Sequence, residues 1–92
     1  MNDKIIAQLV DVNIQIGEYE KQTSTLILCS DENEAMKRAL LAEAHCSVDD
    51  GAMFLSDNQL EDCYGEMIYT VDKVKEVTES EFEVLKKFMY FY

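Results

Sequence analysis

The chain has 92 residues and a mass of 10.6 kDa, room for one small domain and not for two. Its 48% hydrophobic and 10% aromatic content supplies one packed core and excludes disorder along the whole length. Nineteen Asp and Glu against eight Lys and Arg give a formal charge of −11. That balance excludes a surface that grips nucleic-acid phosphates or anionic lipid, because both need clustered cations.

From the N-terminus, the first clear element is a strand. Val10, Val12, Ile14 and Ile16 alternate with Asp11, Asn13 and Gln15, the period of a half-buried strand, and Gln8 is a polar exception on the apolar side. Gly17 to Glu20 breaks the pattern, and the β-branched run Thr23 to Cys29 completes an antiparallel hairpin. Asp31 followed by Glu34 can form a capping box, with Ser30 as an alternative cap. The line Ala35, Ala39, Ala42 and Cys46, flanked by Met36 and Leu40, predicts a helix closely packed on the sheet and ended by the Asp49-Asp50-Gly51 turn.

Ala52 to Leu55 reads as a short strand and Ser56 to Gln59 as a turn, while residues 60–65 carry no decisive pattern. Alternation returns with Met67, Tyr69 and Val71, then slips at Val74, which places a bulge or strand end near Lys73. Thr78 with Glu81, or Ser80 with Glu83, opens a last helix bearing Phe82, Leu85, Phe88, Met89 and Tyr92. The expectation is one α+β domain over 1–92, order ββαββα, with three to four antiparallel strands and two helices on one side.

Three cysteines (Cys29, Cys46 and Cys63) cannot all pair within one chain, and the N-terminal residues lack a signal-peptide apolar run. A reducing cytoplasm is the expected compartment, with no membrane segment. Chemistry is sparse. The lone His45 beside Cys46 reads as a histidine in the last helical turn, because neighbours on a helix point about 100° apart and cannot form a thiol–imidazole pair. No chelating pair of zinc-type spacing occurs, and an EF-hand loop begun at Asp57 fails because position six is Asp62 in place of Gly. No Gly-rich phosphate loop is present. The expected function is therefore non-enzymatic, with no cofactor and no metal.

The distribution of charge is the informative feature. Residues 39–72 hold eight acids (Glu43, Asp49, Asp50, Asp57, Glu61, Asp62, Glu66 and Asp72) and neither Lys nor Arg, whereas residues 73–92 hold four acids and four bases. Carboxylates two apart on a strand stand about 6.6 Å apart. That matches every second phosphate at about 3.4 Å of rise each along one DNA strand. Asp49, Asp50, Asp57, Glu61, Asp62 and Glu66 are thus the expected contacts for a basic, nucleic-acid-binding protein or complex. Four of the nine aromatics lie in the last five residues. Phe88, Met89 and Tyr92 are expected to close the core, leaving Tyr90 and Phe91 outward as contacts for a homodimer or partner.

In size, acidity, reduced cysteines and lack of catalytic residues the chain resembles the small inhibitors of phages and mobile elements, anti-CRISPR and DNA-mimic proteins among them. The resemblance implies stoichiometric blocking of a nucleic-acid-binding bacterial complex in the host cytosol. Immunity proteins that neutralise nuclease toxins are similar in size and acidity and imply the competing function. An oligomeric structural or regulatory module assembled through the aromatic tail is the third reading.

Overall fold

The computed structural model describes residues 4–92. Strands β1 (Ile5–Ile16) and β2 (Tyr19–Ile27) form the hairpin, paired from Gln8↔Ile27 to Ile16↔Tyr19. The register leaves only Gly17 and Glu18 in the turn, and Gly17 takes φ +61°, the conformation a tight hairpin asks of its first turn residue. Helix α1 (Glu32–Glu43) follows, then β3 (Ser47–Val48), β4 (Gly51–Ser56), β5 (Gln59–Asp62), β6 (Met67–Thr78) and α2 (Glu79–Leu85).

The strands make one sheet in the order β2-β1-β6-β5-β4-β3, antiparallel except for the short parallel β3–β4 pair. The domain is α+β as expected, but among the described residues the sheet has six strands, not three to four, and the order is ββαββββα, not ββαββα. The two additional strands are the shortest. β3 has two residues and β5 four, too few to show a period.

The helices also lie on opposite faces of the sheet, not together on one. Val10, Val12 and Ile14 from β1, Leu60 from β5 and Tyr69 and Val71 from β6 pack with Ala35, Ala39 and Leu40 of α1. Ala7, Leu26 and Val77, of opposite parity at their pairing positions, pack with Phe82 of α2. A register shift opposite Asp11 and Val12 leaves Asp72 as the extra residue in β6, so Val71 and Val74 both reach the α1 face. This is the bulge that the slipped alternation near Lys73 predicts.

Asp31 caps α1, accepting from Asn33 N at 2.9 Å, while the complete capping box belongs to Thr78 and Glu81 of α2. α1 stops at Glu43, three residues before Cys46, so Cys46 and His45 are not helical and Ala42 is exposed. The tail departs from helical spacing as well, because α2 ends at Leu85. Met89 packs against the second core, Tyr90 points outward, but Phe88 and Tyr92 are exposed. Phe91 is 47% exposed and also meets Phe82 edge-on, ring centres 5.1 Å apart. Tyr92 exchanges backbone hydrogen bonds with Leu26 and Leu28, so the tail covers part of the β2 edge.

Candidate functional site: an acidic corner around a buried carboxylate

β5 organises the site. Leu60 and Asp62 face α1, whereas Gln59 and Glu61 face away. Asp62 has 0% exposure and so is not available to a partner, contrary to its expected role as a surface contact. Its Oδ1 accepts from the backbone N–H groups of Cys46 and Cys63 at 3.1 and 2.9 Å. Its Oδ2 accepts from His45 N at 2.7 Å and from the Tyr69 hydroxyl at 2.6 Å. Burial alone pushes this carboxyl up, and the four donors outweigh burial and hold it at about 2, below its ordinary 3.8. Burial, and then the hydrogen bond to Asp62 and its charge, push the Tyr69 hydroxyl well up, so it stays protonated and donating.

Asp62 therefore ties the chain leaving α1 to the end of β5. It sets the corner where β3, β4 and the β5–β6 turn meet. Asp49 (φ +69°), Cys63 (φ +52°) and Tyr64 (φ +57°) all take left-handed conformations there, so the corner is held by tertiary contacts against local preference. Tyr64 N donates to Gly51 O at 2.9 Å, and the Tyr64 hydroxyl donates to Asp50 Oδ1 at 3.3 Å.

Four of the six expected acids border this corner. Asp49 and Glu61 line one shallow groove of about 350 Å³ with Met53 and Tyr64. Asp50 touches Tyr64, and Glu66 closes the β5–β6 turn next to Gly65, where an added Cβ would stand 3.6 Å from Glu61 Oε1. Asp57 sits apart, in the β4–β5 turn at the far end of that hairpin, where it shares a groove with Asp31, Glu34 and Lys37 of the α1 N-terminus. Of these acids only half-buried Glu61 presents a carboxylate from the strand face turned away from α1, so the acids form a corner cluster and not an evenly spaced ladder along one strand.

Tyr64, 79% exposed amid these carboxylates, belongs to the site although the sequence did not single it out. The available signal was Gly65, which marks a turn inside the undecided 60–65 stretch. His45 is exposed and enters the site through its backbone. No family model matches the chain, and comparison with curated proteins and with solved structures finds no match. Among the described residues no helix is long and apolar enough to cross a membrane.

Proposed function

We propose that this protein is a non-enzymatic, anti-CRISPR-like binding inhibitor whose acidic corner occupies the nucleic-acid-binding surface of a bacterial protein complex. The observation that carries this reading is the absence of Lys and Arg from residues 39–72, joined to a topology that puts β3, β4 and β5 side by side along one edge. The acids of that segment face no cation of their own stretch. An Arg- or Lys-rich groove supplies the missing charge, with steered association and charge-assisted hydrogen bonds as the result. Exposed Tyr64 gives the cluster an aromatic centre of the kind that dominates interface energetics.

The test begins with capture of the partner from a bacterial lysate on the immobilised protein. Replacing Asp49 and Asp50 by Asn and Glu61 and Glu66 by Gln lowers the formal charge from −11 to −7 and leaves the Asp62 network intact. Four surface pairs, three of them from exposed acids and one from half-buried Glu61, at up to about 1 kcal/mol each predict a loss of about 10- to 100-fold in affinity at low salt, with a shallower salt dependence. A variant that stays folded and binds like the parent refutes the acidic-corner reading. A captured nuclease toxin, in place of a defence complex, would make the protein an immunity protein acting through the same surface.

Assembly through the tail has its own support, since Phe88 and Tyr90 are 80% and 90% exposed beside α2. Light scattering on the parent and on a Phe88→Ser, Tyr90→Ser variant tests it. A dimer converted to a monomer is the expected result of this reading, and a monomeric parent at high concentration removes it. Deleting the last residues is a poorer test, because Phe91 and Tyr92 hold the β2 edge.

A further inference from the structure

The Asp62 clamp has a second effect, unrelated to the acidic surface. By binding the backbone N–H groups of both Cys46 and Cys63 it brings together two thiols that are 17 positions apart in sequence. Cys46 Sγ, Cys63 Sγ and an Asp62 oxygen all lie within 4.8 Å of one another. Met67 adds a third sulfur, its Sδ 3.7 Å from Cys63 Sγ and also 3.7 Å from the Tyr69 hydroxyl. Gly51 makes room for this arrangement, since a Cβ there would stand 2.8 Å from Cys46 Sγ. All three sulfur residues are half-buried, reachable from solvent without being on the surface.

The donor set selects the ligand. Each Asp62 oxygen already accepts two hydrogen bonds, so the carboxylate contributes negative charge at the site and not a coordinating atom. What remains is sulfur. Calcium and magnesium require oxygen donors, and structural zinc is closed by four ligands. Two thiolates with one thioether is instead the soft, low-coordinate set that suits Cu(I).

We propose that Cys46, Cys63 and Met67 form a site for one soft monovalent cation, Cu(I). On binding, the two S–H bonds give up their protons to solvent, two Cu–S bonds form with the resulting thiolates, and the thioether completes a three-sulfur shell without any change of oxidation state. Cys29 is excluded from this site, as its thiol points to the Asp31 carbonyl at the start of α1.

The test uses the intact protein without oxygen and Cu(I) presented as its coloured bicinchoninate complex. One equivalent is withdrawn from the chelator, with a thiolate-to-copper absorption in the ultraviolet. Cys46→Ser and Cys63→Ser each weaken retention by at least ~10-fold, as loss of a direct ligand requires. Cys29→Ser leaves it unchanged. Met67→Leu keeps volume and fold and weakens retention by a smaller factor, so the ligand set is tested even if a cysteine variant unfolds. The proposal is overturned if no stoichiometric transfer occurs, if Cys29→Ser loses as much as the other two, if Met67→Leu binds like the parent, or if equimolar Zn(II) displaces the copper.

Discussion

Asp62→Asn is expected to lower stability by about 3–5 kcal/mol, a large part of the roughly 5–14 kcal/mol available to a domain of this size. The carboxylate is acceptor-only and meets four donors. An amide in its place turns an NH₂ toward two of them, so at least one backbone N–H group of His45, Cys46 or Cys63 loses its acceptor, whereas the Tyr69 hydroxyl can reverse and accept. The predicted fall in thermal midpoint is about 15–30 °C at neutral pH. Tyr69→Phe removes one donor and leaves Oδ2 with His45 N, so a smaller loss of about 1–3 kcal/mol is expected.

The pH dependence of the same pair of proteins separates charge from shape. Asp62 is held below its unfolded value, 3.8, at about 2. Its ionisation therefore contributes stability that is complete above about pH 4 and disappears as pH falls through about 2. The size is about 2 kcal/mol, from 1.36 kcal/mol per unit. The gap in stability between parent and Asp62→Asn should narrow by that amount between pH 4 and 2, measured by denaturant melts at fixed ionic strength. A gap that stays constant over this range would show that ionisation of Asp62 contributes nothing and that its burial is purely steric.

The second large effect is expected at Gly51. A methyl group at this position lies 2.8 Å from both Cβ and Sγ of Cys46, on a backbone with φ +105° that L-residues rarely adopt. Gly51→Ala therefore combines a conformational penalty with a steric one, each of order 1–3 kcal/mol, and a total loss of about 3 kcal/mol is predicted. Gly17→Ala is the matched control. It has φ +61° and nothing within 4 Å of the added carbon, so only the conformational cost of about 1–2 kcal/mol applies. Equal destabilisation of the two variants, measured by chemical denaturation, would rule out the clash with Cys46. Because Cys46 is the group displaced, Gly51→Ala should also change the accessibility of that thiol to alkylation while leaving Cys29 as before.

Where a residue's role is local, the sequence anticipates the fold. The alternation of β1, the Gly17 turn, the Thr78–Glu81 capping box and the bulge near Lys73 each depend on residues a few positions apart, and each is present. The opposite placement of the two helices left a faint trace. Around Ile5 to Val10 the apolar residues occupy both parities of β1, as a strand covered on both faces requires, although alternation farther along masks it. Even the tail follows this division. Spacing continued the helical face through Tyr92, but α2 ends after seven residues, and Phe91 finds Phe82 from an irregular segment.

The candidate site divides in the same way. Composition alone located an acidic stretch without cations between Ala39 and Asp72, and chain continuity through β3, β4 and β5 keeps most of it along one edge. Which of those carboxylates meet solvent was settled only by pairing. Asp62 and Glu61 are adjacent and chemically alike, yet the pleat turns one to the core and the other outward. A one-residue change of register in β5 would exchange their roles, and nothing within four residues specifies that register. Partners from β6 and from the chain after α1 fix it, and through it they place Tyr64, separate Asp57 from the cluster and bring Cys46 to Cys63. The sequence by itself determined how much charge the protein carries and which segment carries it; packing decided which acid becomes the buried tie of the fold, because four donors converge at only one of them.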